Sequence, residues 1–264
     1  MEKKSSEIVR MDAVSKAFPG VLALDGVTFN CVKGEIHALV GENGAGKSTL
    51  IKILGGVLPP DNGSIFLNGQ IISFRSPHAA QRAGIMIVHQ EFSLVPYMSV
   101  TDNILLGQEY CRFGLIKSRA MRQKAAQALE MVKAPVAPDS LVVDLSASQQ
   151  KLVEIAKALA ANPDILVVDE PTAPLNKTET VEFFNVLAEL RAQGSTIVYI
   201  SHHLEEIFQI ADRVTVLKDG KKVSTKQIRD SHIDELIRMM IGRELGDMFP
   251  EKEQRRRQNP IMSV

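Results

Sequence analysis

Ile85-Met86-Ile87-Val88, Ile165-Leu166-Val167-Val168 and Thr196-Ile197-Val198-Tyr199-Ile200 are short, nearly unbroken apolar runs. That is the pattern of strands covered on both faces, as in a parallel sheet. Glu35-Ile36-His37-Ala38-Leu39-Val40 reads as a further strand and runs into a glycine-rich turn. Lys47–Leu54 then reads as a helix, stopped by Gly55-Gly56. Between the last two apolar runs, Val181, Phe184, Leu187 and Leu190 recur at helical spacing within residues 177–193. Strand, helix, strand in that order predicts a crossover unit and an α/β fold with a mainly parallel core sheet.

Two regions break this rhythm. Residues 27–67 hold short β-like pieces around turns at Lys33-Gly34 and Asp61-Asn62-Gly63, which predicts an antiparallel β layer at one side. From about residue 91 to 161 the pattern is mainly helical, including 118–132 and 148–161. A helical insertion between two strands of the main sheet is expected there. The organisation predicted is a core of residues 1–90 and 162–245, a helical subdomain at 91–161, and a charged linker at 246–264. Ile261-Met262-Ser263-Val264 resembles the strand-like Glu7-Ile8-Val9-Arg10-Met11, so a second, similar unit is expected to start there.

Composition narrows the class. With 45% hydrophobic and 23% charged residues in 264, the chain is globular and not disordered. Lysine plus arginine equals aspartate plus glutamate at 31 each, so no global attraction to nucleic acid is expected. Cys31 and Cys111 show no CxxC spacing, which suggests neither a zinc site nor a disulfide framework. The polar start lacks the apolar stretch of a signal peptide. No run approaches the roughly 20 apolar residues of a membrane span. A membrane role would have to come through a partner.

The chemistry concentrates in two places. Gly41-Glu42-Asn43-Gly44-Ala45-Gly46-Lys47-Ser48-Thr49 fits G-x-x-x-x-G-K-[ST], with a strand before it and a helix after it. Glycines let the backbone turn tightly around phosphate oxygens, with N–H groups pointing inward. The helix presents its positive end to the phosphates. Lys47 supplies charge to the β and γ phosphates, and Ser48 offers a hydroxyl to Mg²⁺. The apolar run from Ile165 ends in Asp169 and Glu170. Asp169 is placed to hold Mg²⁺ and Glu170 to act as general base toward water.

With these residues in order, the chain resembles the ATP-binding cassette (ABC) ATPases from about residue 7 to 245. Leu145-Ser146-Ala147-Ser148-Gln149 stands where that family has Leu-Ser-Gly-Gly-Gln, with both glycines replaced. The resemblance implies that Ser146 and Gln149 contact nucleotide held by an opposite cassette; Ser146 with Gln149 also reads as a capping box ahead of an amphipathic helix. It implies that Gln90 senses Mg²⁺ and water, that His202 contacts the γ-phosphate, and that Phe18 stacks on adenine. His203 receives no role. Pro171 to Asn176 matches the family's D-loop, with Asn176 replacing the usual Asp.

Val153-Glu154-Ile155-Ala156-Lys157-Ala158-Leu159, Ile197 to His202 and Met239-Met240-Ile241-Gly242-Arg243 resemble the first half of the tandem ATPases of bacterial importers for ribose, galactose, arabinose and related ligands. This implies ATP and Mg²⁺ as ligands and a second cassette as partner, in cis or as a dimer. It also implies transmembrane permease subunits, indirectly a periplasmic or surface ligand-binding protein, and a peripheral place on the cytoplasmic face of the plasma (inner) membrane. Phe92, Leu94, Val95, Pro96, Tyr97 and Met98 would either form part of the groove facing the permease or pack as ordinary core. A soluble ABC ATPase without transport, and a regulatory cassette with little turnover, remain as alternatives.

Overall fold

The computed structural model describes residues 7–112 and 115–241. The charged tail, Ile261 to Val264, Gly242 and Arg243 lie outside them, as does the side chain of Cys111. In chain order the elements are β1 (Glu7–Phe18), β2 (Val21–Val32), β3 (Ile36–Val40), α1 (Lys47–Leu54), β4 (Asn62–Leu67), β5 (Gln70–Ile72), α2 (Pro77–Arg82), β6 (Ile85–Val88), α3 (Val100–Ile104), β7 (Cys111–Arg112), β8 (Leu115–Ile116), α4 (Ser118–Met131), α5 (Ala147–Ala160), β9 (Ile165–Asp169), α6 (Lys177–Ala192), β10 (Thr196–Ile200), α7 (Leu204–Ile210), β11 (Arg213–Lys218), β12 (Lys221–Gln227) and α8 (Ile233–Ile241). Short 3₁₀ turns sit at Val142–Asp144 and Ile228–Asp230.

The main sheet has the order β12-β11-β3-β10-β9-β6. Its five strands from β11 to β6 run parallel, and β12 pairs antiparallel at the edge. The unbroken apolar runs follow from burial on both faces. Along β9, Leu166 and Val168 enter one core while Ile165 and Val167 enter another. Along β10, Ile197 and Tyr199 share the first core and Val198 and Ile200 the second. Side chains alternate across a strand, so a strand between two layers must be apolar at every position.

The second core lies beneath a four-stranded antiparallel sheet, β2-β1-β4-β5. The pattern over 27–67 pointed to this layer, but the structure draws it from 7–32 and 62–72, and β3 and α1 belong with the parallel sheet. β1 extends to Phe18 because an irregularity between Met11 and Val14, with Ala13 at φ 48°, lets pairing resume after the break in alternation. The first core joins the other face to the helical insertion, where α5 packs against α3 and α4. Within the mainly helical stretch expected for 91–161 the structure adds a short β7–β8 hairpin. Cys31 is a free, fully buried thiol in the second core, and burial pushes its pKa up.

Candidate functional site

The turn after β3 is built for an anion. Gly46 precedes α1 with φ 100°, no side chain closes the first helical turn, and no acidic residue lies in that turn. The amides there are left free to meet a ligand. A β carbon at Gly46 would come within 2.7 Å of both the Ala23 carbonyl oxygen and Leu24 Cδ2. Only glycine keeps the loop this close to β2. Gly44, at φ 85°, faces open space instead. Lys47 Nζ donates to the carbonyls of Gly41 at 2.7 Å and Glu42 at 3.1 Å. Burial lowers the Lys47 pKa, and the charges of Asp169 and Glu170 work against that shift.

Opposite the loop, β9 ends in the two carboxylates. Glu170 sits at φ 45°, where an L-residue costs about 1–2 kcal/mol, and its N–H donates to Ile200 O at 2.9 Å. Its two oxygens are gripped separately. Gln90 Nε2 donates to Oε2 at 2.7 Å, and His202 Nδ1 lies 3.0 Å from Oε1. Two residues far apart in sequence thus hold the carboxylate of a third.

Burial, and then the neighbouring Glu170, raise the Asp169 pKa, with Lys47 countering them. A raised carboxyl binds its proton more tightly in the folded than in the unfolded chain. It therefore costs stability as pH rises from the unfolded value through the folded one. Asp169→Asn is expected to raise the thermal midpoint of nucleotide-free protein by a few degrees at pH 7. The gap should close near pH 3, where both states are protonated, and thermal melts across that range check it.

The chain's residues suit a divalent cation here. Two adjacent carboxylates, one of them half-buried and short of compensating charge, lie across the cleft from the Ser48 hydroxyl.

These groups line one cleft of about 1060 Å³. It brings together Phe18, the whole loop from Gly41 to Thr49, Gln90, Asp169, Glu170 and His202. Ser146 and Gln149 are not part of its lining. They form the expected capping box at the start of α5, with Ser146 N–H donating to Gln149 Oε1 at 3.0 Å and Gln149 N–H to Ser146 Oγ at 3.3 Å.

Val21, Ala23 and Met240 also line the cleft and were not read from the sequence. The pairing of Phe18 with Val21 across the β1–β2 turn is the signal that could have found the first of these. Glu206 on α7 was missed as well. It accepts hydrogen bonds from Tyr199 OH at 2.7 Å, Ser201 Oγ at 2.9 Å and Thr172 Oγ1 at 2.8 Å. One carboxylate so braces the turns that follow β9 and β10, which carry Glu170 and His202. His203 stacks its ring 4.0 Å from that of His202.

Residues 24–173 match the family described as ABC transporter. The ribose import ATP-binding protein RbsA of Chromobacterium violaceum is 50% identical over 246 residues, covering 93% of this chain and 49% of that protein. The chain spans about half the length of the curated relatives it matches. A nucleotide-free ATP-binding cassette from an ABC transporter superposes with a TM-score of 0.77 at 29% identity, over 90% of this chain and 96% of that one. A dimeric cassette in a post-hydrolysis state, bound to ADP and Pi, gives 0.75 at 26% identity, over 84% and 100%.

Proposed function

Because this chain belongs to the ABC transporter family, we propose that it binds and hydrolyses Mg·ATP to power an importer for a monosaccharide or related small ligand. The observation that carries this reading is the Glu170 carboxylate, fixed between Gln90 and His202 and facing the phosphate loop. The relative from Chromobacterium violaceum, named for ribose import, supports the substrate class.

In the mechanism, loop amides and Lys47 bind the phosphates, Lys47 exchanging the Gly41 and Glu42 carbonyls for phosphate oxygens. Ser48, Asp169 and Gln90 would hold Mg²⁺, which would supply charge neutralisation to the phosphates. Glu170 accepts a proton from water as the water oxygen bonds to the γ-phosphorus and the bond from that phosphorus to the β-phosphate oxygen breaks, with ADP as the leaving group. His202 steadies the γ-phosphate, and Phe18 packs on the base. Catalysis here is positioning plus electrostatics.

Two cassettes would face each other head to tail. The position of Ser146 and Gln149 away from their own cleft supports this, as does the dimeric assembly of the related cassette. Residues 91–161, with Phe92, Val95 and Tyr97 exposed, would meet the permease at the cytoplasmic face of the membrane. Among the described residues no helix is long and apolar enough to cross a bilayer. Ala147 and Ser148 replace the glycines, and Ser148 Oγ lies 3.2 Å from Ser146 Oγ. This chain's signature then completes the weaker of the two sites.

The test is phosphate release in proteoliposomes holding the chain with its second cassette and permease. Adding a ribose-loaded binding protein is expected to raise release several-fold, and Ser146→Ala to lower it less than threefold. Release that ignores the binding protein would refute the import reading.

A further inference from the structure

Gln90 lies on the segment that leaves β6, and its neighbours on both sides are tied to one turn of α5. Lys151 and Glu154 form an ion pair at 3.0 Å with side chains only 1% and 3% exposed. Lys151 Nζ also donates to the carbonyl of His89 at 2.8 Å and stands 5.3 Å from the ring centre of Phe92. Glu154 Oε1 accepts from the Ser93 N–H and, at 3.0 Å, from Ser93 Oγ. The residue before Gln90 and the third residue after it are thus both held by the same pair.

Stability does not account for this arrangement. Taking both charges out of water is costly, and apolar residues of similar volume commonly pack as well. The helix has an apolar stripe of its own in Leu152, Val153, Ile155, Ala156 and Leu159. What an apolar pair lacks is the directed donor and acceptor that fix two points of a loop.

We propose that Lys151 and Glu154 are positioning residues. They hold segment 89–93 so that Gln90 Nε2 meets Glu170, and they tie that contact to α5, which Ser146 caps. The proposal rests on the reading of Glu170 as general base. A displacement of α5, such as one imposed by a facing cassette, passes through the pair to the carboxylate that handles water.

Lys151→Met/Glu154→Met keeps the volume and removes both anchors. Two measurements on the full chain test it, beside thermal melts that confirm folding. The first is the Gln90 side-chain amide resonance, assigned by its loss in Gln90→Ala. It is expected to move to the position of a solvent-exposed glutamine. The second is phosphate release with magnesium ATP from the chain assembled with its second cassette and permease, where kcat is expected to fall tenfold or more with KM within twofold. In a Gln90→Ala background the same double change should cost less than twofold further, which a merely structural role would not produce.

A folded variant that keeps the native Gln90 resonance overturns the proposal, as does an undiminished kcat loss in the Gln90→Ala background. If Glu170→Gln leaves turnover intact, the general-base reading fails, and the resonance still judges the pair. Should the double variant not fold, Lys151→Met/Glu154→Gln removes the His89 anchor, keeps an acceptor for Ser93, and is judged by the same two measurements.

Discussion

Glu170→Gln is expected to lower phosphate release by about 10²-fold or more while leaving Mg·ATP affinity within a few-fold, since general-base catalysis contributes roughly 10²–10⁴. The amide has nearly the shape of the carboxylate. One terminal atom can still accept from Gln90 Nε2 and the other can still meet His202 Nδ1, so the clamp at 2.7 and 3.0 Å persists. What disappears is the group that takes the proton from water. Single-turnover phosphate release beside a nucleotide titration separates chemistry from binding. Turnover within threefold of the parent would remove Glu170 from the mechanism.

Lys47→Ala is expected to weaken Mg·ATP binding by about 10²-fold, equivalent to roughly 2.7 kcal/mol. A half-buried ammonium facing two carboxylates is the main mobile cation beside the phosphate loop. Its loss removes charge-assisted hydrogen bonds to phosphate and leaves Asp169 and Glu170 closer to repelling the ligand. Titration calorimetry with magnesium nucleotide reads the effect directly, on protein shown folded by its thermal transition. Unchanged heat and affinity would mean that the loop before Lys47 does not wrap a triphosphate.

The parts of the fold readable from sequence are those in which one local rule suffices. β9 and β10 are apolar from Ile165 to Val168 and from Ile197 to Ile200 because both their faces are covered, and Gly41 to Thr49 carries its own turn and helix signals. Ser146 with Gln149 closes the capping box that the spacing suggested, and Asn176 with Glu179 closes another at the start of α6. The antiparallel layer was misplaced because β1 continues through an irregularity that local alternation does not survive. β12, Lys221–Gln227, passed unread because it is an exposed, largely polar edge strand with no apolar face to betray it.

The candidate site shows the same divide. Its loop and its acidic pair are contiguous motifs and stand out in one dimension. The grip of Gln90 and His202 on Glu170 spans 80 and 32 residues of sequence and exists only once β6, β9 and β10 lie side by side. Glu206 and the Lys151–Glu154 pair touch no ligand in the proposed scheme. Their parts are visible only as hydrogen bonds between turns.

The cleft draws its two ends from different sheets: the phosphate loop follows β3, while Phe18, Val21 and Ala23 come from the antiparallel layer. At that second end the lining side chains among the described residues, Met240 included, are all apolar. Such a rim favours a flat heteroaromatic ring over water, and Phe18, Val21, Ala23 and Met240 carry no side-chain hydrogen-bonding group to tell one purine edge from another. On the proposed reading, these four side chains would grip adenine and guanine alike, by area and shape. Selectivity among nucleotides would then have to come from backbone groups or from residues beyond this rim.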